Sequence, residues 1–183
     1  MNNKLHGLLS CLIVGASTLF SACGDKQEVA VAVDQLAPRY ESTLAEGIDF
    51  RRPGYPSFLI EVTGVSNPED WGRWTDAAGT PVVKFRFDKP LPKKFVLELQ
   101  ANAFGPNEGK PTIVRVGNIE HTMVVKNTPS YAVYKTEFVN VPSIDTIEII
   151  PPNPVLPREL DPNNRDERKL GLGLVTFKIK SLE

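Results

Sequence analysis

The feature that most constrains this chain is a series of short segments with a two-residue hydrophobic period, closed off by proline. Val83-Lys84-Phe85-Arg86-Phe87 sets three apolar side chains on one side and two cations on the other, as a strand with one buried face requires. Pro90-Leu91-Pro92 ends it, because proline has no N–H to give to a ladder. The β pattern recurs at Phe58 to Val62, Phe95 to Ala101, Ile113 to Val116, Thr122 to Val125, Tyr131 to Phe138, Ile144 to Ile150 and Val175 to Ile179. In the last of these, Val175, Phe177 and Ile179 are expected to point inward, with Thr176, Lys178 and Lys180 toward water. The spacing leaves no room for the crossover helices of a parallel sheet. The expected fold is therefore all-β: an antiparallel β-sandwich of jelly-roll type.

Of the 183 residues, 41% are hydrophobic and 23% charged, which supports one domain with a real core. A net charge of -1, with both signs spread along the chain, gives no electrostatic footprint for nucleic acid. The N-terminus reads differently from the rest. Met1-Asn2-Asn3-Lys4 precedes an apolar run from Leu8 to Phe20, too short to span a bilayer, so residues 1–22 are expected to be a secretory signal peptide. Leu19-Phe20-Ser21-Ala22-Cys23 resembles a bacterial lipobox, which implies diacylation of Cys23; cleavage by the ordinary signal peptidase would leave a stray thiol there instead. Cys11 lies within the removed peptide, so no internal disulfide is expected. Residues 23–47 read as the lipidated N-terminus and a tether with at most a short helix around Asp34 to Ala45, and 48–183 as the sandwich. The expected address is the bacterial cell envelope, facing the periplasm, with the outer membrane favoured because glycine rather than aspartate follows Cys23.

Trp71-Gly72-Arg73-Trp74 holds both tryptophans of the chain in a turn-rich stretch. Two readings stand: the indoles fill the core, or they form an exposed surface that stacks on sugar rings while Arg73 donates paired hydrogen bonds. Asn102, Phe104 and Asn107, around the turn Ala103-Phe104-Gly105-Pro106-Asn107, join the candidate ligand set together with Arg115 and Arg168. For Asn107 alone, the favoured reading is an Asx-turn onto its own backbone. The irregular stretch from Pro151 to Arg168 reads equally as a functional loop and as a solvated excursion.

Catalytic patterns are missing. There is no nucleophile elbow, paired histidine motif, CxxC or phosphate-cradling loop, and His121 reads as a surface strand residue. Gly171-Leu172-Gly173 lacks a third glycine and reads as close backbone approach within a sheet. Asp161 and Asn163 begin like a calcium loop, but Arg165 and Asp166 stand where an oxygen ligand and glycine are needed. No metal, cofactor or catalytic residue is assigned.

Six motifs in order carry a family resemblance: Gly64 through Trp74, Pro90 to Phe95, Ala103 to Asn107, Val114 to Gly117, Ile150 to Pro154 and Arg168 to Gly173. They resemble the C-terminal region of bacterial phosphoglycerol transferases, over roughly residues 48–179. Those enzymes transfer phosphoglycerol from membrane lipid to periplasmic glucans, with a sulfatase-like catalytic domain upstream. Here a signal and tether stand where that domain would sit, so the resemblance implies an accessory, non-catalytic domain. By analogy it implies a module that holds periplasmic glucan or related anionic carbohydrate, or meets an envelope protein, or assists a transferase in trans.

Overall fold

The computed structural model describes residues 38–182. The expected signal peptide, the expected lipidation of Cys23 and most of the expected tether fall outside the described residues. In chain order the strands are β1 (Arg39–Tyr40), β2 (Ile48–Asp49), β3 (Tyr55–Pro56), β4 (Leu59–Thr63), β5 (Arg73–Asp76), β6 (Val83–Phe87), β7 (Phe95–Ala103), β8 (Pro111–Val116), β9 (Ile119–Val124), β10 (Val133–Phe138), β11 (Thr146–Ile150) and β12 (Leu170–Ser181).

Two antiparallel sheets face one another. One runs β10-β7-β12-β2, with β5 also on β12; the other runs β4-β6-β11-β8-β9. Each alternating segment turns its apolar set between them: Val83, Phe85 and Phe87 from β6, Phe95, Leu97 and Leu99 from β7, Ile147 and Ile149 from β11, all buried. Phe85 of one sheet meets Phe177 of the other at 5.0 Å between ring centroids, which locates the middle of the core. The sandwich expected from the alternation is therefore the fold that forms.

β12 is the spine of its sheet. One of its edges pairs with β7 from Leu172 to Ser181, while the other carries β5 near its start and β2 further on. It begins at Leu170, five residues before the predicted strand, because two glycines interrupt the hydrophobic pattern without ending the strand, whose register with β5 shifts between Leu170 and Gly173. Phe177 and Ile179 are buried, as the pattern requires.

Two further differences from the sequence reading have physical causes. The folded body starts earlier than residue 48: β1 pairs in parallel with β3, Leu44 packs on the core, and the Ile179 N–H donates to the Leu44 carbonyl. Over residues 38–47 the backbone is thus strand and turn, not helix. The WGRW stretch contains β5 rather than being all turn. Arg73 occupies an inward position there, so the strand has no apolar alternation to read.

Candidate functional site

Residues 64–76 form a hairpin excursion. Val65 bridges Thr75, and Glu69 bridges Gly72 through two backbone hydrogen bonds, leaving Asp70 and Trp71 at the tip. Gly72 is required there, because a Cβ would lie 2.1 Å from the Leu174 carbonyl oxygen. The return strand β5 then alternates: Arg73 and Thr75 go inward, Trp74 and Asp76 outward.

Both indoles come to rest over Gly173 of β12, on the outer face of the β10-β7-β12 sheet. A Cβ on Gly173 would meet Trp71 at 2.9 Å and Trp74 at 3.2 Å, so the missing side chain is the seat of the ring pair. Trp71 and Trp74 pack edge to face at 4.8 Å and 65°. Tyr131 stacks on Trp71 at 5.5 Å and 18°, and Phe104 meets Trp74 at 5.4 Å and 74°. All four rings are half-buried, so each keeps part of its surface toward solvent.

Polar groups fix the rings. The Trp71 Nε1–H donates to Glu69 Oε2 at 2.9 Å, while Arg168 Nη1 donates to Glu69 Oε1 at 2.9 Å. Arg168 also makes a forked pair with Asp166, with Nη2 at 2.6 Å from Oδ2. Donation to Asp166, reinforced by donation to Glu69, raises the Arg168 pKa further above its ordinary value, and the same contact lowers that of Asp166. Burial, then the Glu69 charge, raises the Tyr131 hydroxyl pKa. Tyr131 takes a positive φ of 53°, rare for a bulky residue. Its loop is held from below: Asn102 Nδ2 donates to the Thr128 carbonyl at 2.6 Å and to Asn127 Oδ1 at 3.2 Å, while Asn102 Oδ1 accepts from the Thr128 N–H and hydroxyl.

The sequence-derived set is thus divided. Trp71, Trp74, Phe104, Asn102 and Arg168 converge on this face. Arg73 does not: it is 5% exposed and its guanidinium donates to the carbonyls of Phe50, Arg52, Gly54 and Ser66 and to the Tyr55 hydroxyl, with its charge over the Tyr55 ring at 4.5 Å. Its inward position on β5 makes it a core clamp. Asn107 is fully buried and ties two loops, donating to the Phe104 and Asn153 carbonyls and accepting from the Asn153 N–H. Arg115 lies on β8 in the opposite sheet, paired with Glu120 and Glu148. The sequence reading missed Tyr131, Glu69 and Asp166. The β pattern from Tyr131 to Phe138 places Tyr131 first in a strand, although Pro129-Ser130 just before it is a turn signal.

Fold and site together define a class: an antiparallel β-sandwich carrying a surface ring cluster on one sheet. The chain belongs to the family described as Domain of unknown function (DUF7024), whose model matches residues 32–181. It is 39% identical over 139 residues to phosphoglycerol transferase I of Escherichia fergusonii, covering 76% of this chain and 18% of that protein. The figures are 38% for the same enzyme of Citrobacter koseri and 39% for that of Escherichia coli O139:H28, with the same coverage. The chain therefore spans less than a fifth of the length of these relatives, and the match lies in their C-terminal, non-catalytic region. No solved structure matches it. Among the described residues, no helix is long and apolar enough to cross a membrane.

Proposed function

We propose that this domain is a non-catalytic glycan-binding module of the cell envelope, held at the membrane by a lipid on Cys23 and facing the periplasm, with the outer membrane favoured. The observation that carries the reading is the Tyr131-Trp71-Trp74-Phe104 ring series, half-exposed on a sheet face and braced by Glu69 and Arg168. Aromatic faces cover the apolar faces of pyranose rings, and pre-set rings lose little entropy on binding. The strain at Tyr131 supports it as well. A left-handed tyrosine costs on the order of 1–3 kcal/mol, and such strain concentrates at ligand sites.

The resemblance to phosphoglycerol transferases names the ligand to try first, a periplasmic glucan with or without anionic substituents. Calorimetric titration of the detergent-purified full chain with such glucans tests the reading. Saturable binding is expected, weakened about tenfold or more in Trp71→Ala. No heat and no change in tryptophan emission at millimolar glucan would overturn it.

The family match favours a second reading, an accessory protein that meets a transferase catalytic domain in trans or another envelope protein. Co-purification with such a catalytic domain, abolished by changes at the ring cluster and indifferent to added glucan, would favour it over glycan binding.

A further inference from the structure

The ring cluster stands at one end of a track that the sheet continues. Along β7 the outward residues are Asn102, Gln100 and Glu98, and their partners on β12 are Gly173, Thr176 and Lys178. On β10, Val133 stands opposite Gln100 and Lys135 opposite Glu98, with Tyr131 two residues ahead of Val133. Three rows therefore follow one another on one face. The first is aromatic, with Gly173 and Asn102 as its floor. The second is Val133, Gln100 and Thr176. The third is Lys135, Glu98 and Lys178.

The second row is unlike the third. Glu98 accepts from Lys135 and Lys180 at 2.8 Å each, so its charge is already answered. In the second row, the Thr176 hydroxyl and Gln100 Oε1 lie 3.5 Å apart, the outer limit of a hydrogen bond. Among the described residues, the Gln100 amide NH2 has no protein partner. Val133 beside it is 53% exposed. An amide with open donors, a hydroxyl and a bare apolar patch are the groups that meet the hydroxyls and the C–H face of a sugar ring. The outer face of the opposite sheet carries ion pairs, Glu61 with Lys84 and Arg86, and Arg115 with Glu148.

We infer that the ligand is an extended oligosaccharide, with one sugar unit on the ring cluster and the next over Gln100, Thr176 and Val133. This rests on the glycan-binding reading and adds a second subsite to it. Rows on a strand repeat every ~6.7 Å, so the track from Asn102 to Glu98 covers roughly 13 Å, more than a single pyranose needs. The first unit is gripped by stacking and the second by hydrogen bonds, so affinity depends on chain length.

The test is calorimetry of the full chain with glucose, a gluco-disaccharide and a gluco-tetrasaccharide, repeated with Gln100→Ala and Thr176→Val. Both positions are half-exposed, and thermal unfolding checks that each variant keeps its fold. The tetrasaccharide is expected to bind at least about tenfold tighter than glucose, with the advantage reduced several-fold in the variants while glucose binding is unchanged. Equal affinity for all lengths overturns the second subsite and leaves the ring cluster standing. A length dependence unaffected by both substitutions also overturns it, since the chain then runs elsewhere. If no saccharide binds, the glycan reading and this inference fall together.

Discussion

Arg73 and Trp74 are chain neighbours with opposite environments, decided by one turn of strand alternation. Arg73 enters the core, where five N–H donors find four carbonyls and a hydroxyl; this is what makes a buried cation tolerable. Most of its acceptors belong to residues 50–55, from the loop after β2 to the first residue of β3, so the side chain does the work of a missing ladder. Lysine brings three donors and no planar fork, and it cannot replace that pattern. Arg73→Leu would leave several carbonyls desolvated and without donors, and is expected to cost about 2–4 kcal/mol. Urea unfolding of both proteins checks this. A cost within 0.5 kcal/mol of zero would mean that water takes over the clamp.

At the scale of elements, the alternating strands were legible because a half-buried sheet leaves its period in the sequence. Val83 to Phe87, Phe95 to Ala101 and Ile144 to Ile150 were found within a few residues of their ends. β5 was not legible, since a buried arginine and an outward tryptophan invert the expected pattern. The start of β12 was hidden by Gly171 and Gly173, whose meaning lies in what packs on them. The order in which strands are laid side by side is likewise not written in a two-residue period, which records faces only. For the site, the WGRW stretch supplies two of the clustered rings, but Tyr131 reaches them from a loop 57 to 60 residues further along the chain, through a backbone twist that no period reports. Gly173 links strand and site, and gives the second prediction. Gly173→Ala places a methyl 2.9 Å from Trp71 and 3.2 Å from Trp74, so the rings must lift. The strand itself can stay in place. The expected loss of stability is about 1–3 kcal/mol, with an altered near-ultraviolet dichroism of the indoles and an unchanged far-ultraviolet spectrum. Binding of the gluco-tetrasaccharide should fall about tenfold. An unaltered indole signal would mean that the rings do not rest on this glycine.

Across the whole molecule, paired carboxylates act as ties, between strands at Glu98 and Glu61 and locally along the chain at Asp49 and Asp166. Glu98 of β7 holds Lys135 of β10 and Lys180 of β12, and these hydrogen bonds lower its pKa. For Glu61 of β4, burial raises the pKa, but bonds from Arg86 and Lys84 of β6 more than reverse this. Asp49 and Asp166 are lowered chiefly by hydrogen bonds from Arg51 and Arg168. All four shifts have the same sign, so their effects on stability add. A carboxyl whose folded pKa lies below its unfolded value binds fewer protons when folded, so its contribution is complete above the unfolded value, 4.5 for Glu and 3.8 for Asp. It is lost as pH falls through the lower folded value. The thermal midpoint of the domain is therefore expected to be level, as far as these groups govern it, from about pH 5.5 upward and to fall steadily below about pH 4.5. Several of the cationic partners are well exposed, Lys135 by 62% and Lys180 by 49%, so each tie alone contributes little and the effect is collective. Calorimetric scans between pH 3 and pH 8 check the sign, and the acid slope should shrink in Glu98→Gln and in about 0.5 M salt, which screens exposed pairs. A midpoint that rises on acidification would mean that repulsion among unpaired carboxylates outweighs these ties.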